Sequence, residues 1–396
     1  MKKTRYTVPG FKASSATAGL GKVKKPDMMM IFSEREATAA GVFTMNTVKA
    51  APVLLNMERI KKGKARAIIA NAGNANACTG DKGLENARFT AELAASELGI
   101  RPEEVLVAST GVIGAQLDMD KVTRTIPHLV KGLSSDGIVA AAEAIMTTDS
   151  FSKMSRFEGK VQKSPYRILG IAKGAGMIMP NMATMLCFIL SDISIRPSQL
   201  KMALLSSVEK TFNRITVDGD TSTNDMVLIL ANGMADNSHL KAKDYEEFSS
   251  GLRHVMAELS SMIVRDGEGA TKLVYIKVKG AATGMDAITA ARAVSNSSLV
   301  KTAFYGQDPN WGRVMAALGR SQIRLKEGKV AIWVDGIKIV EMGLSVGPEQ
   351  EKRAAERMKN REFSITIDLG LGEYEDQIVT CDLTHDYISI NADYRT

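Results

Sequence analysis

The residue best placed to do chemistry in this chain is a threonine at the junction of a loop and an apolar run. Residues 173–192 read KGAGMIMPNMATMLCFILSD. The first half is punctuated by Lys173-Gly174-Ala175-Gly176 and closes on Pro180 and Asn181. In the second half, residues 185–190 form an apolar run whose length and composition predict a strand buried on both faces. Thr184 lies where the two halves meet, directly after the small Ala183. A threonine hydroxyl is a weak nucleophile until an adjacent base takes its proton. Cutting the Ala183–Thr184 bond would supply that base on the same residue, because a free α-amino group titrates near pH ~7.7–8.0. In an uncut chain, a hydroxyl at a strand start serves to satisfy a neighbouring backbone group.

Other polar loops share this placement beside apolar segments. The run 65–70, ARAIIA, predicts a buried strand that feeds NAGNANACTG at 71–80, a loop of residues that tolerate positive φ or bond their own backbone. Residues 105–108 predict another strand, followed by STGVIG at 109–114. Backbone N–H groups at such a strand-to-glycine turn can face outward together, as an oxyanion hole requires. MTTD at 146–149, TVDGDTSTND at 216–225 before the apolar run 226–231, and DGEGATK at 266–272 before the run 273–278 complete the set. Loops gathered at one edge of a sheet are a usual place for an active site.

The elements that must carry these loops alternate between strand and helix. Short strands are expected at 28–32 and 41–44, and helices at 48–62, 84–98 with Gly99 as C-cap, 121–131 and 136–146. Residues 153–159 read as an exposed connection before a strand at 167–172. Pro197 marks the start of a helix reaching about residue 212, and 244–264 is the clearest amphipathic helix, with Phe248, Leu252, Met256, Leu259 and Ile263 on one face. Beyond it come strand 273–278, helix 287–297, a loop containing DPNWGR, strand 329–334, helix 349–359 and two strands to the end. The pattern predicts an α/β fold with mixed sheets flanked by helices.

Composition removes several classes of function. Of 396 residues, 45% are hydrophobic and 24% charged, as in globular proteins, and no stretch reaches the ~18 apolar residues of a membrane helix. The basic N-terminal stretch lacks an apolar core of the signal-peptide kind, so a cytoplasmic protein is expected. Cys78, Cys187 and Cys381 are odd in number and have no CxxC spacing; they read as small core residues rather than a disulfide or zinc framework. Four scattered histidines without HExxH give no metal site. A net charge of +7 is spread among acids, and the densest cluster, Lys22, Lys24 and Lys25, has no interleaved aromatics, which argues against nucleic-acid binding. The KGAG loop lacks the spacing of a phosphate-binding P-loop.

Taken in order, NAGNANACTG, STGVIG, MTTD, KGAGMIMPNMATML, TVDGDTSTND, DGEGATK, DPNWGR and the terminal NADYRT resemble the ornithine acetyltransferase family, also called the bifunctional glutamate N-acetyltransferases of arginine biosynthesis. These motifs span nearly the whole chain. Two positions depart from the family pattern: Ala175, where serine is frequent, and Met179, where many members carry histidine.

The resemblance implies a self-processing fold shared with self-cleaving aminopeptidases. It implies autocatalytic cleavage between Ala183 and Thr184 into pieces 1–183 and 184–396, which stay intertwined and assemble as a heterotetramer of two of each. Thr184 is then the nucleophile, Thr110 and Gly111 the oxyanion stabilisers, and Thr147, Lys173, Glu268, Asn391 and Thr396 further substrate contacts. The implied reaction moves an acetyl group from N2-acetyl-L-ornithine to L-glutamate through an acetyl-threonine ester, with no metal or organic cofactor; acetyl-CoA is a candidate second donor. The rival within the same fold is a self-processed aminopeptidase or amidohydrolase, in which water resolves the acyl-enzyme.

Overall fold

The computed structural model describes residues 6–21, 25–179 and 185–393. It divides into two compact units, one formed by Met1–Asn213 with Asp220–Ile263, the other by Arg214–Gly219 with Val264–Arg395. No helix among the described residues is long and apolar enough to cross a membrane.

The first unit contains strands β1 (Phe11–Ala16), β2 (Met28–Phe43), β3 (Lys64–Asn71), β4 (Val105–Ser109), β5 (Lys153–Val161), β6 (Ser164–Lys173), β7 (Leu186–Ser191) and β8 (Met226–Ala231). Its helices are α1 (Ala51–Arg59), α2 (Gly80–Leu98), α3 (Met119–Lys131), α4 (Ile138–Ala144), α5 (Pro197–Lys210) and α6, which runs Ala242–Arg265. The strands form one mixed sheet in the order β4-β3-β2-β8-β7-β6-β5, with β1 also on β2. The expected short strands at 28–32 and 41–44 are the two ends of the single strand β2. Its pairing with β3 shifts register between Phe32 and Ala37, and Glu34, Arg35 and Glu36 in the irregularity are exposed.

That irregularity folds the sheet on itself. Met28 pairs with Asn71 and Phe43 with Met226, so a straight β2 would hold these partners about 50 Å apart. Yet the Asn224 side-chain amide donates to the Ser109 carbonyl at 2.8 Å. The two limbs therefore lie face to face. Met29, Ile31, Ile68 and Leu106 from one limb share a core with Phe188, Leu190, Leu228 and Leu230 from the other. The alternate residues Met30, Ile69 and Val107 face outward onto Ala91 of α2 and Val122 and Ile126 of α3. On the far face of β6, a Cβ at Gly170 would meet Leu259 Cδ1 at 2.7 Å, so α6 packs there through its fully buried Leu259, Leu252 and Phe248. As expected, β7 is buried on both faces. The layers run helix, sheet, sheet, helix, in agreement with the expected α/β architecture.

Residues 153–159 are not a connection but most of β5, antiparallel to β6. Its inward positions are Lys153, Ser155 and Val161, while Arg156, Glu158 and Lys160 face out. The alternation is present in the sequence, but polar residues at two inward positions disguise it.

The second unit carries β9 (Leu273–Ala281), β10 (Ala331–Val334), β11 (Ile337–Glu341), β12 (Leu344–Ser345), β13 (Glu362–Asp368) and β14 (Tyr374–Cys381), in the order β12-β11-β10-β13-β9-β14. Helices α7 (Gly284–Ser295), α8 (Ser298–Tyr305), α9 (Trp311–Gly319), α10 (Pro348–Met358) and α11 (His385–Asp393) belong to it. The hairpin of β11 and β12 and the helices α8 and α11 go beyond the expected elements. The DPNWGR segment is a helix start rather than a free loop: Asn310 caps α9 by accepting from the Arg313 N–H at 3.2 Å.

Phe188 is fully buried between the two limbs. Phe188→Ala should destabilise the first unit by about 3–5 kcal/mol, read as a lowered urea midpoint with an unchanged m-value.

Candidate functional site

Lys173 ends β6 opposite Leu186, the first residue of β7. It is only 9% exposed, and its ammonium donates to Thr147 Oγ1 at 2.9 Å and Thr110 Oγ1 at 3.2 Å. Three separate motifs, KGAG, MTTD and STGVIG, thus meet at one cation. The Thr110 backbone N–H is committed to the Asn71 carbonyl at 2.9 Å. What Thr110 offers is therefore its hydroxyl, which accepts from Lys173 and keeps its own hydrogen to donate; the expected outward-facing amide at this residue is turned inward. Gly111 comes next with φ +132, and a Cβ there would sit 2.3 Å from the Gly73 carbonyl carbon. Only glycine fits this crossing of the two loops.

Carboxamides build the scaffold under the turn. Asn71 donates to the Asn74 carbonyl at 2.8 Å and accepts from Ser109 Oγ at 2.7 Å. Asn74 reaches the Ala115 carbonyl, Asn76 the Gly83 carbonyl, and Asn224 both the Ala75 and Ser109 carbonyls. These side chains satisfy buried backbone groups where no strand partner exists. Cys78 in this loop is exposed with φ 55, which corrects its expected core placement; Cys187 and Cys381 are buried.

Two buried carboxyl groups flank Lys173, and sequence reasoning singled out neither. Asp149 accepts from Lys153 Nζ at 2.7 Å, the Gly174 N–H at 2.7 Å and the Thr147 N–H at 3.0 Å. Burial alone would raise its pKa, but the charges of Lys173 and Lys153 with these hydrogen bonds hold it down at about 2. Asp225 is driven the other way: burial pushes its pKa well above the ordinary carboxylate value, although the Met185 N–H, the Ser222 hydroxyl and Lys173 oppose this. Both carboxyls lie at the end of motifs visible in the sequence, MTTD and TSTND. The signal that could have marked them is an acidic residue beside a predicted buried strand.

In the second unit, Asn391 on α11 donates through Nδ2 to Glu268 Oε2 at 2.8 Å, so these two predicted residues are neighbours. The DGEGATK loop is clamped where the Thr271 and Lys272 N–H groups donate to Asp382, and Thr384 Oγ1 donates to the Gly269 carbonyl. Ala183, Thr184 and Thr396 lie outside the described residues, as do Lys22 and Lys24. Of the two departures from the family pattern, Ala175 is buried, and Met179 accepts from Thr221 Oγ1 through its backbone carbonyl.

A doubled, helix-flanked sheet with hydroxyls, a near-buried ammonium and a glycine-pinned turn at one edge defines the class: a layered α/β enzyme. The ArgJ family profile matches residues 12–396, and the chain belongs to that family. It is 51% identical to the arginine biosynthesis bifunctional protein ArgJ of Syntrophotalea carbinolica, over 98% of this chain and 99% of that one. It is 46% identical to the glutamate N-acetyltransferase of Methanocaldococcus jannaschii, over 98% and 97% respectively. The crystal structure of the arginine biosynthesis bifunctional protein ArgJ of Bacillus halodurans matches with a TM-score of 0.50 at 39% identity, covering 52% of this chain and 98% of that chain.

Asp149 makes stability depend on pH in the acid range. The unfolded carboxyl takes up its proton near ~3.9 and the folded one at about 2, so between these values the unfolded state binds more protons. This contribution is full above pH ~4 and is lost as pH falls through about 2. Urea midpoints measured from pH 5 downward should fall more steeply for the wild type than for Asp149→Asn.

Proposed function

We propose that this ArgJ-family enzyme transfers an acetyl group from N2-acetyl-L-ornithine to L-glutamate, using Thr184 as a self-generated N-terminal nucleophile. The observation that carries this reading is the meeting of Lys173 with the Thr110 and Thr147 hydroxyls beside the strand that comes after Thr184. Donor and acceptor share an α-carboxylate, and a partly shielded ammonium with the Thr147 hydroxyl is a suitable cradle for one, leaving the Thr110 hydroxyl for the reacting carbonyl.

In the first half-reaction the Thr184 hydroxyl adds to the acetyl carbonyl while its own α-amino group takes the proton. The Thr110 hydroxyl and the Gly111 N–H stabilise the oxyanion. Collapse breaks the C–N bond, the proton passes to the leaving nitrogen, and ornithine departs from an acetyl-threonine ester. The glutamate amine then attacks that ester through the same oxyanion site and regenerates the threonine. Lys173 and Thr147 hold the carboxylate; Glu268, paired with Asn391, is suited to an ammonium group, and Thr396 is the remaining substrate contact. Acetyl-CoA, as a second donor, would acylate the same hydroxyl, in keeping with the word bifunctional in the names of relatives.

Cleavage at Ala183–Thr184 is supported by the Bacillus halodurans comparison: a solved chain matched over 98% of itself covers only 52% of this one, about the size of one expected piece. The cut would not part the pieces within the first unit, because residues 168–173 of β6 from one pair with the whole of β7 from the other. A pair of such heterodimers is the proposed assembly.

Intact mass should resolve the purified protein into pieces 1–183 and 184–396, while Thr184→Ala stays whole. Incubation with N-acetylornithine should add one acetyl group to the second piece, and glutamate should remove it as N-acetylglutamate. Release of acetate at the same rate without glutamate would instead establish a hydrolase. Gly111→Ala, which forces the turn away from Gly73, should lower kcat by about 10²-fold or more in a protein that still folds.

A further inference from the structure

We propose that Asp149 is the positioning residue of this site, fixing Thr147 and Lys173 together so that their hydroxyl and ammonium meet the substrate carboxylate. The proposal rests on the acetyl-transfer function, in which these two residues are substrate contacts. Asp149 touches no reacting atom; it acts through its neighbours.

The geometry is that of a junction. One carboxylate, with no side-chain exposure, accepts from the backbone N–H of Thr147 at 3.0 Å and from that of Gly174 at 2.7 Å. It thereby ties the MTTD turn to the residue directly after Lys173. Gly174 has φ 149, a conformation that side chains disfavour, so the chain leaves β6 in a bend that the Asp149 bond holds. The third partner, Lys153 Nζ at 2.7 Å, comes from the start of β5 and is itself fully buried. A buried ion pair alone often adds nothing to stability over an apolar pair. Here the carboxylate also collects two backbone donors from two different site segments, which a merely structural i, i+4 pair would not need.

Charge supports the same role. Among the described residues, Lys173 faces Asp149 and Asp225, and Asp149 faces Lys173 and Lys153. Asp149 stays ionised, whereas burial favours the neutral form of Asp225. Two ammonium groups then meet the Asp149 carboxylate, and Lys173 also meets the two hydroxyls. Losing the Asp149 charge would make the Lys173 ammonium easier to deprotonate. Binding of a carboxylate substrate would then weaken at lower pH than in the wild type.

The test compares the wild type with Asp149→Asn and with the double variant Asp149→Asn/Lys153→Met, which removes both charges and leaves one amide oxygen where the Thr147 and Gly174 N–H groups had separate carboxylate oxygens. Folding is checked by circular dichroism, and processing by intact mass. KM for glutamate and for N-acetylornithine should rise about ten-fold in the double variant while kcat stays within about three-fold, and in Asp149→Asn, which keeps the Lys153 charge, the rise of KM with pH should begin at lower pH. A folded, processed double variant with wild-type KM, or a folded Asp149→Asn with an unmoved profile, would overturn the proposal. If both variants fail to fold, amide hydrogen exchange read by NMR on the unaltered protein decides: the Thr147 and Gly174 N–H groups, which donate to Asp149, should be protected, and fast exchange at both would overturn the proposal. Wild type without any acetyl transfer would refute the acetyl-transfer function separately, and the NMR result would still report on Asp149.

Discussion

The fold of β2 between Phe32 and Ala37 is the constraint on which the site depends. A single strand joins two limbs of one sheet, and only by turning back does it bring the ends of β3 and β4 against the ends of β6, β7 and β8. Apolar alternation makes the turn favourable, because Ile31 and Ile68 on one side and Phe188 and Leu228 on the other can be buried only against each other. The loops at that edge are then adjacent whatever their separation along the chain.

Closing the sheet in this way buries polar backbone. An edge where several strands end leaves backbone groups without ladder partners, and leaving them unmet would be costly. The protein answers with asparagine amides that reach backbone carbonyls and with Asp149, whose three donors come from β5 and the two site segments. The same network that satisfies the backbone fixes Lys173 and the two hydroxyls. Stability and preorganisation share one set of bonds, so the chemistry rests on side chains that are rigid before any substrate arrives.

The two buried acids show how one site shifts two carboxyl pKa values in opposite directions. Asp149 has two lysines and backbone donors around it and remains charged; Asp225, more poorly compensated, is driven toward its neutral form. Neither behaviour is a property of aspartate. Each results from which donors the fold places against the carboxyl.

Much of this was legible in the sequence. The apolar run 185–190, the face of α6 and the glycine at the end of α2 announce themselves because periodicity and left-handed caps are local properties, and each is where it was expected. The order of the motifs determined the family. Thr147 was named through the family resemblance, and its hydroxyl accepts from the Lys173 ammonium. Other features are not local. Strand β5 is disguised by Lys153 and Ser155, whose burial makes sense only with Asp149 and with Glu258, which accepts from the Ser155 hydroxyl. The continuity of β2 hides behind three exposed charged residues. Sequence by itself determined which residue types were available and which strands and helices would carry them, because those depend on neighbours a few positions away. Tertiary structure alone decided that Thr110 offers a hydroxyl rather than an amide, that the carboxyl pKa values of Asp149 and Asp225 shift in opposite directions, and that the three motifs meet at one ammonium. Those outcomes are set by groups tens of residues apart, brought within hydrogen-bond reach only when the sheet closes on itself.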